Sequence, residues 1–313
     1  MSTVFVVGSL NIDQTIRVRS LPGPGETVRG SDAVYGPGGK GGNQAVAAAR
    51  AGAAVAFTGA VGDDAHGHRI LEFLSDAGVD CRHTRIVDAV PTGTAVIAVD
   101  DEGQNQILVS PGANSSLTTE DMDIPEGREG DILVLQLEIP APLVRHAARR
   151  AKSRGLYVVM NAAPAPHEIE NLFDDVDLLI VNEQEISLLA ETAGVRATDH
   201  RDLVRSLPPV LGPAIVFTAG AEGSFAVVDG DLVHVPAHAV IAEDTTGAGD
   251  TFVGYLAASL LADRGDLVAA MELATRASAL TVARSGAMES IPHRGEVLQA
   301  FDSPSPLPPQ GCP

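Results

Sequence analysis

The stretch DILVLQLEIPAPLVRHAARRAKSRGLYVVMNAAP, residues 131–164, holds a continuous apolar run, an amphipathic helical pattern and a second continuous apolar run. Strands that are apolar throughout and separated by amphipathic helices belong to a mainly parallel sheet covered on both faces. The alternation extends outward in both directions, with VFVVGSL, NQAVAAARAG, AAVAFTGAVG and HRILEFLSDAG before it and VDLLIVN, NEQEISLLAETAG and AIVFTAG after it. The expected fold class is α/β, a mainly parallel central sheet flanked by helices. Ligands of such sheets bind at the carboxyl ends of the strands.

Two regions interrupt the alternation. Residues 14–35, QTIRVRSLPGPGETVRGSDAVY, and 92–110, TGTAVIAVDDEGQNQILVS, carry no helical pattern, and DDEG reads as a hairpin turn. Together they predict a small antiparallel layer beside the main sheet, a lid. A further hairpin, SFAVVDGDLVHVP, turns at Asp229 and Gly230, and residues 247–284 read as helix with one break at 263–266. Residues 1–302 are expected to form one domain with the lid inserted, and the Pro-rich residues 303–313 a disordered tail.

A net charge of −20 repels phosphate backbones and anionic lipid headgroups, which argues against nucleic acid and membranes as partners. Any phosphate site must then rely on backbone N–H groups, a metal ion or a few basic residues. The two cysteines, Cys81 and Cys312, have neither disulfide nor metal-ligand spacing and read as reduced cytosolic thiols. The start MSTVFVVGSL reads as a first strand rather than a leader, and no run approaches the ~20 apolar residues of a membrane span. A cytoplasmic protein is expected.

Residues 244–252, DTTGAGDTF, precede a long helical pattern. A helix starting near Gly247 leaves the amides of Ala248, Gly249 and Asp250 unpaired and aimed outward, an anion site reinforced by the helix dipole. Asp250 would repel an anion that was merely held. It fits a hydroxyl that must be deprotonated beside a phosphoryl group, or else simply complements the dipole. GPGGKGGNQA, residues 36–45, formally matches G-x-G-x-x-G, but it follows the lid region rather than the first strand. Its glycine backbone, the Lys40 ammonium and the Asn43 amide suit a polyhydroxylated ligand; a flexible loop capped by Asn43 is the plainer reading. Asn11 and Asp13 can take bidentate bonds from vicinal hydroxyls or form an Asx-turn, and Glu138 is another acid at a strand end. Asn182 and Glu185 can cap a helix or hold hydrated Mg²⁺ and phosphate. TAGAEGS, residues 218–224, is a small turn where backbone can approach a nucleotide.

These motifs resemble the ribokinase branch of the PfkB carbohydrate kinases. DTTGAGDTF and GGKGGNQA are similar to that family's two signatures, and GSLNID, PGET, QLE, NAAPAP, VNEQE and TAGAEG occur in the same order, over about residues 4–302. The resemblance implies Asp250 as catalytic base and Gly247, Ala248 and Gly249 as an anion hole. It implies sugar contacts from Asn11, Asp13, Gly39, Lys40, Asn43 and Glu138. ATP would meet Asn182, Thr218, Ala219, Gly220, Ala221, Glu222, Gly223, Gly249 and Thr275, with Glu185 ordering Mg²⁺. A monovalent cation, K⁺, would sit at Asp244, Thr246, Thr281, Arg284, Gly286 and Ser290, mostly on carbonyls. Thr275 stands where relatives usually carry Asn or His, Ala162 replaces a proline and Gly42 an Ala or Leu. The implied activity is ATP-dependent phosphorylation of D-ribose at its 5-hydroxyl. The alternatives are a kinase for 2-deoxyribose or another small sugar or nucleoside, an NAD-dependent oxidoreductase, and a non-catalytic sugar-binding protein. Exposed edges of an inserted lid predict a homodimer through it.

Overall fold

The computed structural model describes residues 2–122 and 127–302. In chain order the strands are β1 (Thr3–Val7), β2 (Asn11–Arg17), β3 (Val34–Gly38), β4 (Ala54–Gly62), β5 (Val79–Val87), β6 (Gly93–Val99), β7 (Asn105–Ser110), β8 (Ile132–Leu135), β9 (Tyr157–Asn161), β10 (Leu178–Val181), β11 (Ala214–Thr218), β12 (Ser224–Val228) and β13 (Asp231–Val235). The helices are α1 (Lys40–Arg50), α2 (Ala65–Asp76), α3 (Ala141–Ser153), α4 (Glu183–Ala193), α5 (His200–Ser206), α6 (Pro208–Leu211), α7 (Ala248–Ala262), α8 (Leu267–Val282) and α9 (Arg294–Asp302).

The 131–164 stretch is β8, α3 and β9, with Ile132 beside Tyr157 and Leu135 beside Met160 in parallel register. The main sheet runs β13-β12-β11-β10-β9-β8-β1-β4-β5. All its pairs are parallel except β11–β12 and β12–β13, the latter turning at Asp229 and Gly230, both at positive φ as a tight hairpin requires. Alternate residues of β1 serve opposite faces. Val4 and Val6 join a core with Val46, Phe252, Leu256 and Met271 of α1, α7 and α8. Phe5 and Val7 join a second core with Val144, Ala148, Ile186 and Leu189 of α3 and α4. Burial on both sides is why the strands carry no polar alternation.

The smaller sheet runs β3-β2-β6-β7 and supplies the expected lid, with two corrections. β2–β3 and β6–β7 are antiparallel, but β2–β6 is parallel. Each pair of strands leaves the main sheet from the carboxyl end of a strand, β1 or β5, so the two leading strands point the same way. Hairpin signals report only pairing within a hairpin and are silent on this. The first lid strand also begins at Asn11, so Asn11 and Asp13 belong to β2 and not to a turn leaving β1. α7 and α8 are separated at residues 263–266, as the pattern indicates. The expected Pro-rich tail, with Cys312, lies outside the described residues. Among the described residues no helix is long and apolar enough to cross a membrane.

Candidate active site

Gly247, in the left-handed conformation at φ 75°, turns the chain into α7 without a side-chain cap. Of the three amides expected to be unpaired, that of Ala248 is drawn back to Thr245 O at 3.3 Å, whereas those of Gly249 and Asp250 have no partner among the described residues. Gly249 is exposed, and a Cβ built on it meets nothing within 4 Å, so the first turn of α7 borders open space at this residue. The helix N-terminus is thus an accessible cluster of donors.

Asp250 is the third residue of α7 and is 7% exposed. Asn43 Nδ2 donates to its Oδ2 at 2.8 Å, and Gln44 Nε2 donates to its Oδ1 at 2.9 Å. Both amides come from the second turn of α1. Asn43 therefore does not cap α1, which starts at Lys40 behind Gly39. Glycines of GPGGKGGNQA divide between β3 and α1, so the formal dinucleotide fingerprint lacks the strand–turn–helix setting it needs. Asn43 Oδ1 is buried and without a partner, an acceptor left over for a ligand hydroxyl.

Lys40 opens α1. Burial opposes its charge, but Asp250, Glu138, Glu185 and Asp13 around it outweigh burial and hold the ammonium above its ordinary value. Glu138, just past β8, accepts Ser9 Oγ at 2.6 Å and the Lys40 amide at 3.1 Å, so it also satisfies one orphan donor of α1. On the lid, Asp13 is pushed up to about 7 by burial and by Glu138, Asp250 and Glu289, with Lys40 opposing. Asn11 Oδ1 accepts Asn114 Nδ2 at 2.9 Å, and Asn114 is fixed in turn by Leu10 N and O at 2.9 and 3.1 Å. Sugar-side candidates from β2, α1, β8 and α7 therefore converge at the carboxyl ends of β1 and β8.

Asn182 and Glu185 form a reciprocal capping box on α4: Glu185 N donates to Asn182 Oδ1, and Asn182 N donates to Glu185 Oε2, each at 2.9 Å. Burial raises the Glu185 carboxyl, with the Asn182 amide and Lys40 acting against it. Thr218 Oγ1 donates to Val181 O at 3.2 Å, and Ala219 N to Gly223 O at 2.7 Å, closing the turn that includes Gly220, Ala221 and Glu222. Glu222 is engaged by Arg201 at 2.6 Å. Thr275 of α8 is buried and its Oγ1 has no partner.

Asp244 accepts Thr246 N on Oδ1 at 2.9 Å and Gly286 N on Oδ2 at 3.1 Å, tying the segment before α7 to the one after α8. Thr281 O accepts Arg284 N at 3.0 Å, and Ser290 Oγ donates to Ala287 O at 2.7 Å. A carboxylate is a hard oxygen donor of the kind a monovalent cation takes, but both Asp244 oxygens here accept backbone N–H groups, and Thr281 O and Ala287 O are engaged by Arg284 N and Ser290 Oγ. The Arg284 guanidinium instead pairs with Glu296 at 2.7 Å. Among the described residues no three or more His, Cys, Asp or Glu side chains are grouped to hold a metal. A divalent ion beside Glu185 would therefore depend on water and phosphate oxygens, the habit of Mg²⁺.

Residues 1–294 match the pfkB family carbohydrate kinase model. The chain belongs to the PfkB family. Ribokinase of Haemophilus influenzae is 36% identical over 305 residues, covering 96% of this chain and 98% of that one. A crystal structure of ribokinase from Thermotoga maritima superposes with a TM-score of 0.88 at 34% identity, covering 97% of this chain and all of that one (100%). Arabidopsis thaliana ribokinase complexed with ribose and ATP superposes with a TM-score of 0.82 at 30% identity, covering 96% and 98%. This PfkB chain is thus a sugar kinase, which removes the oxidoreductase and the non-catalytic binder as readings. Gln44 and Asn114 bond to candidate residues and Asn161 bonds to Gln44, yet none of the three is among the expected site residues; Gln44 lies inside GGKGGNQA and Asn161 opens NAAPAP, whereas Asn114 lies in none of the motifs.

Proposed function

We propose that the chain transfers the γ-phosphoryl group of ATP to the 5-hydroxyl of D-ribose, with Asp250 as general base. One observation carries this reading: a buried carboxylate, Asp250, shares the first turn of α7 with two amides that have no partner among the described residues, beside an exposed Gly249. Asp250 takes the hydroxyl proton as the sugar oxygen attacks the γ-phosphorus in line; the bond to the β–γ bridging oxygen breaks and ADP leaves. The amides around Gly247 and Gly249 receive the developing charge, with Ala248 contributing only if it leaves Thr245.

Asn11, Asp13, Gly39, Lys40, Asn43 and Glu138 hold the sugar, and the unpartnered Asn43 Oδ1 supports this. Asn182, Thr218 to Gly223 and Thr275 face ATP, and the ribose and ATP complex of the Arabidopsis relative agrees with that substrate pair. Glu185 would hold Mg²⁺ through water, and the ion would supply positive charge that offsets the phosphate oxygens. K⁺ would be held by the segments carrying Asp244, Thr246, Thr281, Arg284, Gly286 and Ser290. The protein works in the cytoplasm, as a homodimer joined through the lid.

Asp250→Asn should lower kcat by roughly 10²–10⁴ with little change in KM. Near-normal turnover in a coupled ADP-release assay would remove the mechanism. The same assay over ribose, 2-deoxyribose, other sugars and nucleosides, with and without K⁺, tests the substrate and the cation.

A further inference from the structure

We infer that Gln44, held by Asn161, is a positioning residue for Asp250; this rests on Asp250 being the base. A primary amide nitrogen carries two hydrogens, and both of those on Gln44 Nε2 are committed. One goes to Asp250 Oδ1 at 2.9 Å and the other to Asn161 Oδ1 at 3.3 Å. Asn161, at the end of β9, donates its own Nδ2 to Ile180 O of β10 at 3.2 Å. A line of neutral amides thus runs from the backbone of the main sheet, through α1, to the acid on α7. Its side chains are nearly sealed from water, with Gln44 0%, Asn161 8% and Asp250 7% exposed.

The arrangement has a specific consequence for a base. Each Asp250 oxygen receives one donor, Asn43 on Oδ2 and Gln44 on Oδ1, which fixes the carboxylate plane and leaves lone pairs for the acceptor hydroxyl. The donors are neutral, so they orient the carboxylate without neutralising it as an ammonium or guanidinium would. Without Gln44, Asp250 keeps a single tether to α1 and can rotate about it. Displacing a reacting group by about 1 Å costs up to roughly a hundredfold in rate.

Gln44→Met keeps the length of the side chain and removes the donor. It should lower kcat by about 10- to 100-fold while KM for ribose and ATP stays within about twofold. Introduced into Asp250→Asn, it should cost less than about a further twofold, because the group it orients is already disabled. A role confined to packing predicts the opposite, an equal loss in both backgrounds accompanied by a raised KM, and that result overturns the assignment. So does a Gln44→Met enzyme with parental kcat. If Gln44→Met does not fold, Asn161→Ala leaves Gln44 in place and should lower kcat in the parent but not in Asp250→Asn; no loss in the parent, or equal losses, rejects the relay. Parental turnover by Asp250→Asn itself would fell the base assignment, whereas a silent Gln44→Met beside an inactive Asp250→Asn removes only the positioning role.

Discussion

Asp13 is an acid whose ionisation is opposed by its own neighbourhood: burial first, then Glu138, Asp250 and Glu289, push it up to about 7 against the pull of Lys40. Unfolding returns it to an ordinary carboxyl, so its contribution to stability is complete below the unfolded value and is lost as pH rises towards 7. Asp13→Asn should therefore melt higher than the parent in the ligand-free state, by a margin that grows from pH 4 and levels off above 7 in a thermal scan series. The ionised acid accepts a charge-assisted hydroxyl bond on each oxygen, whereas protonation turns one oxygen into a donor, so KM for ribose should fall as pH rises through 7, and Asp13→Asn should abolish that slope. Residues such as Asp13, Asp250 and Glu185 are legible in the sequence because each sits in a short motif whose chemistry is local. Asn114 is not, since its partner Asn11 lies 103 residues away and an isolated amide carries no signal of its own; Gln44 and Asn161 fall inside motifs, but their bonds to Asp250 and to each other span 206 and 117 residues, which no motif discloses.

α1 and α7 hold the donors and the acid they orient, and they touch backbone to backbone at Gly254. A Cβ there would lie 2.4 Å from Ala47 Cβ and 2.5 Å from Gln44 O. Gly254→Ala must therefore push the helices apart, destabilising by about 1–3 kcal/mol in urea unfolding and lowering kcat as Asp250 moves off Asn43 and Gln44. A smaller effect is expected at α4, where Asn182→Ala removes half of the capping box and should cost about 1 kcal/mol, with Asn182→Asp retaining most of it. The existence of these helices follows from their periodicity, and so do the strands of the main sheet. The parallel pairing of β2 with β6 does not, because it depends on where two hairpins leave a sheet rather than on any residue in them.

The lid exposes Val34, Ile107, Leu108 and Val109, with relative exposures of 69%, 53%, 73% and 51%. Apolar side chains on an edge strand are a liability unless a second sheet covers them. Light scattering at micromolar concentration should give a dimer mass, and Leu108→Asp should give a monomer. Asp250 meets Asn43 across 207 residues of chain, and that separation sets an order of events during synthesis. At 5–20 residues per second, roughly 10–40 s pass between the emergence of α1 and of the acid it receives. During that interval Ala47, which packs against α7 in the finished protein, has no helix to meet, and Asp250, the proposed base, joins the nascent chain only after every strand of the sheet has been made.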